Sequence, residues 1–420
     1  MDAPVAIPRV SGCGPLTGET GAGARPLRLR IFESVRAAGT VPRAGVAKDL
    51  GVSAGSVSTL TAELIEQGYL QETAARASTD TVRGRPPVAL GVRPESFRVA
   101  GVKLADRELT GILLDGAGGE LASVRRKATP GALPLAQQIE TLAEVVESLC
   151  RDAGVSSGAL DAVGVGLPGF VDHERGHVFW SPVLDTRDVG FAAAARRRIG
   201  RPVVVDNDAN LVALAELWFG VGRDRPDFAV VTIEHGVGTG IVLDHRVFRG
   251  AHGVGLELGH TKVQLDGALC RCGQRGCLEA YISDYALARE AAVALGAPDG
   301  EPRTVADLIA RLHDEARAGN AAAQSIFDRS RRYLALGLAN LVNLFDPSLL
   351  ILSGDRMRYD GPFVDDTLAE MRALALNTGN GVPPLKVHEW GTLLWAYGAG
   401  ALALSRATEA ALGAARDAGP

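Results

Sequence analysis

No stretch of this chain is long and apolar enough to cross a bilayer, because every hydrophobic run is broken by charge or glycine well before about 18 residues. The N-terminus does not join a basic region to an apolar stretch, which argues against secretion and makes the cytoplasm the expected location. Positive net charge is lacking too. The formal balance is -5 at pH 7, so the chain as a whole is not a general nucleic-acid-binding surface. Cysteine is scarce: there are five in 420 residues, and Cys13 and Cys150 have no thiol near them in sequence. Both read as buried or idle thiols, since nothing signals an oxidising compartment.

What is present is unevenly distributed. A chain of 420 residues exceeds one hydrophobic core, so two or three domains are expected. Residues 1–24, rich in Gly, Ala, Pro and Thr, carry too few large apolar side chains to offset the entropy of ordering and are expected to be flexible. From Arg25 to Arg93, ten basic side chains face six acidic ones, which leaves the remainder of the chain clearly acidic. Leu27, Ile31, Val35 and Ala38 recur there at helical spacing until Gly39. A second helix follows Thr40, with Pro42 near its first turn and Val46, Ala47 and Leu50 inward. After a turn at Gly51, Ser53 can cap a third helix whose Val57, Leu60, Leu64 and Ile65 share one face.

Ser53, Ala54, Gly55, Ser56, Ser58 and Thr59 then occupy the end of the third helix where a recognition helix meets base edges and phosphates. The run YLQET reads as a strand and PPVAL as its return. Between them, Arg83, Gly84 and Arg85 form a basic wing suited to a narrow minor groove. Residues 25–93 are therefore expected to be a winged helix-turn-helix that binds double-stranded DNA. A helical packing unit with a solvated basic turn is the competing reading.

The densest chemistry lies in Glu257 to Glu279, ELGHTKVQLDGALCRCGQRGCLE, which places His260, Cys270, Cys272 and Cys277 in one short segment. Gly273 and Gly276 allow turns tight enough to aim the sulfurs inward. Such a set fits a tetrahedral Cys3His zinc centre, structural because no ligand position is left for water. A disulfide or a reduced surface loop is the alternative.

From Phe97 strands and helices alternate, implying an α/β domain with ligands near the carboxyl ends of its strands. The β-branched run VVVDNDAN ends in Asp206, Asn207, Asp208 and Asn210, setting carboxylates and amides at a strand tip. Capping of the next helix would explain the same residues, and the two roles can coexist.

The runs GLELGH and, ten residues later, CRCGQRGCLE resemble the signature of the ROK family of bacterial sugar-responsive repressors and sugar kinases. The resemblance extends over roughly residues 95–410, and the N-terminal module resembles that of the repressor branch. It implies an actin-like fold, with a first lobe over residues 94–205 completed by a C-terminal helix at about 391–415, and a second lobe over residues 206–390 carrying the zinc loop. It also implies that His260 binds zinc and touches a sugar, that Glu257 and Glu279 hold sugar hydroxyls, and that Asp208 is the base that kinases use, with Asn207 beside it. One structural Zn2+ per chain, a homodimer or homotetramer, an inverted-repeat operator and a sugar or sugar-phosphate effector are the corresponding expectations.

The phosphate-binding elements depart from the kinase pattern. Where ROK kinases read approximately D-x-G-G-T, this chain has Lys103-Leu104-Ala105-Asp106-Arg107, with a cation in place of the carboxylate and both glycines gone. The turn Glu234 to Gly240 keeps alternate glycines but adds an acid, and the adenosine-side motif reads LLILSGD with Ser353 and Gly354. The sequence is thus read as a sugar-responsive regulator without catalytic residues, Asp208 being a vestigial base. A sugar kinase with a fused DNA-binding module, and a regulator with an idle cleft, are the alternatives.

Overall fold

The computed structural model describes residues 11–16, 25–74, 88–296, 304–354, 361–376, 379, 381–388 and 391–413. The N-terminal module comprises α1 (Leu27–Ala38), β1 (Val41–Pro42), α2 (Arg43–Asp49), α3 (Ala54–Glu66), β2 (Leu70–Ala74) and β3 (Val88–Val92). Leu29, Ile31, Phe32 and Val35 form the buried face of α1, which stops at Gly39 with φ 73. The Ser53 side chain caps α3 by accepting from the Ser56 N–H at 3.0 Å.

The inner face of α3 differs from the expected one. Val57, Thr61 and Leu64 are buried, while Leu60 and Ile65 are half-buried. Thr61 can be interior because its hydroxyl accepts from Arg43 Nε at 3.1 Å, which satisfies both groups. Val41 and Pro42 pair with Leu90 and Ala89, so the module carries a three-stranded sheet in the order β1-β3-β2, one strand more than a simple wing. Proline is tolerated there because the strand lies at an edge. Arg83, Gly84 and Arg85 lie outside the described residues.

Then follow β4 (Arg98–Lys103), β5 (Glu108–Asp115), β6 (Glu120–Lys127), α4 (Leu135–Asp152), β7 (Ala162–Leu167), β8 (Phe170–Asp172), β9 (His177–Trp180), α5 (Phe191–Ile199), β10 (Val203–Asn207) and α6 (Asp208–Phe219). After these come β11 (Phe228–Ile233), β12 (Val237–Leu243), β13 (Arg246–Phe248), α7 (Glu279–Ile282), α8 (Asp284–Ala294) and α9 (Val305–Arg317). The chain closes with α10 (Ala321–Phe345), β14 (Leu350–Ser353), α11 (Gly361–Leu374), β15 (Leu385–His388) and α12 (Leu394–Leu412). No helix among the described residues is long and apolar enough to cross a membrane.

The described residues form two compact units: those within 1–226, 242–254 and 392–420 make the first, and those within 227–241 and 255–391 the second. The first contains a mixed sheet in the order β10-β7-β4-β5-β6, its β4, β7 and β10 parallel and its β5 and β6 antiparallel. Val102, Leu113, Leu142, Val146, Val163 and Val165 belong to its fully buried core between the sheet and α4. On the other face α12 lies so close to β4 and β7 that a Cβ at Gly164 would collide with the Ala399 carbonyl. In the second unit β11, β14 and β15 are parallel neighbours, and α7 to α11 pack within it. This is the mixed α/β fold, with an N-terminal helical module, that the sequence pattern implied.

Two expectations are corrected. The division between units falls after Pro226 and not at residue 206, because α6 packs on α12 and β10 inside the first unit. Residues 11–16 are not a flexible lead: Cys13 is buried, its N–H donates to the Arg36 carbonyl at 3.0 Å, and the Gly14 and Leu16 N–H groups donate to the carbonyls of Trp218 and Arg223. Burial pushes the Cys13 thiol up to about 11, which keeps it neutral and inert. The rest of the segment expected to be flexible, 1–10 and 17–24, lies outside the described residues. The polar run Glu120–Lys127 forms the edge strand β6, its alternation of exposed and half-buried side chains being the signature of one wet face.

Candidate functional site

In the second unit the chain from His260 to Glu279 has little regular structure beyond the antiparallel bridges Lys262 to Cys277 and Leu269 to Arg275. Gly273 and Gly276 turn it with φ of 86 and 75, as the sequence required. The result brings one ligand atom from each of His260, Cys270, Cys272 and Cys277 within 4.8 Å of one another. Cys272 and Cys277 Sγ are 3.7 Å apart, and Cys270 Sγ is 3.8 Å from His260 Nδ1. Edges of that length belong to a tetrahedron with arms of about 2.3 Å, so the donor set fits a zinc-sized ion in both chemistry and dimensions. The Nδ1 atom of His260 faces the sulfurs, which leaves Nε2 to point elsewhere.

Further side chains make direct contacts with the cluster. Lys262 Nζ donates to Cys277 Sγ at 3.0 Å, and Tyr285 Oη donates to Cys270 Sγ at 3.5 Å. Glu279, buried at the start of α7, lies 3.6 Å from Cys270 Sγ through Oε1 and accepts from the Val237 N–H at 3.2 Å through Oε2. One carboxylate therefore ties the cluster to the turn between β11 and β12. Glu257 is exposed and precedes the short helical turn Leu258–His260.

In the first unit, Asn207 and Asp208 stand where β10 becomes α6. Asn207 caps α6, its Oδ1 accepting from the Ala209 N–H at 2.8 Å, and its Nδ2 donates to the Gly169 carbonyl at 2.7 Å. Each of these side-chain atoms has one further hydrogen-bonding position. Asp206 is fully buried and all four of its acceptor positions are used. Its Oδ1 takes the Asn207 N–H and Asn210 Nδ2 at 2.8 and 2.9 Å, and its Oδ2 takes Arg249 Nε and an Arg249 terminal nitrogen at 2.8 and 2.7 Å. Nothing local in the sequence pairs Arg249 with Asp206, and this bracing of the strand tip is what motif reading missed.

Lys103, at the end of β4, places its Nζ 3.5 Å from the centre of the Trp395 ring. Burial pushes the Asp208 carboxyl above its ordinary value of 3.8, and the Lys103 charge pulls it partly back. A raised carboxyl value means that the folded state holds this proton more tightly. The stabilising share of Asp208 is accordingly full below the ordinary value and lost as pH rises through the raised one. Asp208→Asn is therefore expected to leave the midpoint of thermal unfolding at pH 7 unchanged or a few degrees higher. Its advantage over the unchanged protein should shrink as pH falls toward 4, and scanning fluorimetry across that range checks both points.

On the N-terminal module, Ser53, Ala54, Gly55, Ser56, Ser58 and Thr59 are all exposed, along the first turns of α3. Ser53 and Ser56 share a hydroxyl contact of 2.8 Å. Arg43, which braces Thr61, also pairs with Glu72 of β2 at 2.9 Å, fixing α2 against the sheet.

Comparison with known proteins adds to this geometry. A family model described as the ROK family matches residues 99–406. The xylose repressor of Caldicellulosiruptor bescii is 28% identical over 349 residues, spanning 82% of this chain and 86% of that protein. The glucokinase of Streptomyces coelicolor is 34% identical over 257 residues, spanning 58% of this chain and 79% of that enzyme. Among solved structures, a ROK family transcriptional regulator described as a homologue of the E. coli MLC protein matches with a TM-score of 0.75 and 25% identity, over 91% of this chain and 96% of that one.

Proposed function

We propose, on the premise that this chain belongs to the ROK family, that it is a DNA-binding transcriptional repressor controlled by a carbohydrate effector and without kinase activity. The observation that carries this reading is Lys103. Its ammonium sits over Trp395 and within electrostatic reach of Asp208, at the strand end where ROK kinases resemble one another in carrying a carboxylate. A cation there opposes the magnesium ion that accompanies ATP phosphates, and phosphoryl transfer depends almost wholly on that positioning. The regulator matches also extend further along the chain than the glucokinase match does.

In this reading α3 enters the major groove of an inverted-repeat operator, with Arg83 and Arg85 reaching the backbone or minor groove, and two copies of the chain read the two halves. Asn207, Asp208, Glu257, His260 and Glu279 recognise the sugar, whose hydroxyls suit mixed carboxylate and amide partners. His260, Cys270, Cys272 and Cys277 would hold one structural zinc ion, which supplies no reactive position and fixes the loop that presents His260 and Glu279. A sugar that prefers the DNA-free arrangement by about 100-fold contributes roughly 2.7 kcal/mol, enough to release an operator held near saturation.

A second reading, an ATP-dependent sugar kinase with a fused DNA-binding module, is favoured by Asp208 and by the glucokinase similarity. An ADP-release assay over hexoses, pentoses and amino sugars separates the two. The expected result is no turnover above background, together with a sugar-dependent rise in the unfolding midpoint that Asp208→Asn abolishes. Steady ADP release that vanishes in Asp208→Asn would establish the kinase instead. Fragments of genomic DNA retained by the protein, and released by the sugar that raises its midpoint, would identify operator and effector together.

A further inference from the structure

Within the first unit, a cavity of about 580 Å3 opens among α1, α6, α12 and the segment 244–249. That volume lies in the range of small-molecule sites. Its apolar floor includes Leu214, Leu217, Trp218 and Leu402, and its polar wall is dominated by arginine. Three carboxylates share the wall, Glu33, Glu409 and Asp244. The first two are engaged by Arg25, at 2.8 and 3.6 Å, and Arg249 is engaged by Asp206.

Four more arginines line the same space: Arg30, Arg36, Arg246 and Arg406. Arg36 is only 2% exposed and stacks over Trp218, with its guanidinium carbon 4.4 Å from the ring centre. It donates to Thr408 Oγ1 at 2.9 Å, but its Nε is buried without a hydrogen-bond partner, and so is that of Arg30. Buried donors without acceptors are uncommon in folded proteins, and two on guanidinium groups that line one cavity point to an anion. Arg246 and Arg406 stand exposed on the same wall, placed to meet a charged group as it enters.

We infer that this cavity binds a small phosphorylated metabolite, its phosphate held among Arg30, Arg36, Arg246 and Arg406 and its organic part lying over the apolar floor. A phosphate monoester supplies several acceptor oxygens and close to two negative charges, which matches a wall on which six arginines outnumber three carboxylates. The position gives the site a regulatory consequence. α1 belongs to the N-terminal module and α12 completes the first unit, so an occupant touches both and favours one orientation of the module. This site is independent of the carbohydrate residues discussed under the proposed function.

Calorimetric titration of the full chain with inorganic phosphate, glucose 6-phosphate and glucose tests it. The expected result is saturable binding of one inorganic phosphate per chain, weakened at least 10-fold in Arg246→Ala and in Arg406→Ala, and competed by glucose 6-phosphate but not by glucose. Both arginines are exposed, so neither variant threatens folding. Absence of saturable binding by both phosphate probes overturns the inference. So does binding that survives both arginine variants but is lost in Asp208→Asn, which would place the phosphate at the sugar residues. A third overturning result is loss of DNA affinity and of its salt dependence in the arginine variants without any phosphate binding, which would assign these side chains to the DNA backbone.

Discussion

Cys277→Ser is expected to leave the purified chain without the one equivalent of zinc that the unchanged protein should carry, and to unfold the segment 261–278 locally. Cys277 is fully buried, its Sγ completes the four-atom cluster, and Lys262 Nζ donates to it at 3.0 Å. A hydroxyl is a poor zinc ligand and cannot replace a thiolate, so the loss should exceed the 10–100-fold that substitution of an outer-shell partner typically brings. The cluster closes a loop from His260 to Cys277 that has only isolated bridges of its own. Cross-linking a loop of about that length contributes roughly 3 kcal/mol, and its removal should lower the unfolding midpoint by about 6–12 °C. Glu279 would lose its neighbour Cys270 from the cluster, and with it the fixed bond to Val237, so sugar response should disappear along with the metal. Metal analysis and limited proteolysis of the variant check both statements. Full zinc content with undiminished protease resistance would show that the four side chains gather without serving an ion.

How much of this could be read from the sequence follows from distance along the chain. The four side chains of the candidate metal cluster fall within 18 residues, and their spacing together with two glycines carried the geometry without help from the fold. The three helices of the N-terminal module were likewise legible, because periodicity, Ser53 and Gly39 are local signals. Thr61 was not, since its burial depends on Arg43 arriving from another helix. Lys103 stood out in the sequence as a cation at a strand end, but its ring contact with Trp395 joins positions nearly 300 residues apart. The unit boundary was misplaced for a related reason. The chain enters the first unit three times, and α12, the last segment, is the main reason why α6 belongs there. Residues 11–16 had the composition of a disordered tail, yet small residues are what allow the backbone to pass close to Arg36 and Trp218.

Removing the Arg249 side chain, as in Arg249→Met, is expected to destabilise the chain by about 3 kcal/mol, the lower end of the range for breaking a buried ion pair. The lower end applies because Arg249 keeps 23% of its side-chain surface in water while Asp206 keeps 1%. The asymmetry matters: the carboxylate bears the larger desolvation, and methionine would leave it with two acceptor positions unfilled. The Asp206 carboxylate also receives the Asn207 N–H and Asn210 Nδ2, so a displaced Asp206 disturbs the strand tip that sets Asn207 and Asp208. The midpoint should fall by about 6–12 °C and sugar affinity should fall with it, although Arg249 belongs to neither the sugar nor the metal set. The double variant Asp206→Asn/Arg249→Met distinguishes a charge effect from lost packing, because asparagine carries no charge to strand and can still accept from Asn207 and Asn210. Recovery of more than half of the lost stability in the double variant would assign the effect to the buried charge. Additive losses in the two single variants would instead make Arg249 a packing residue, and the strand tip would have to be held by its hydrogen bonds to Asn207 and Asn210 alone.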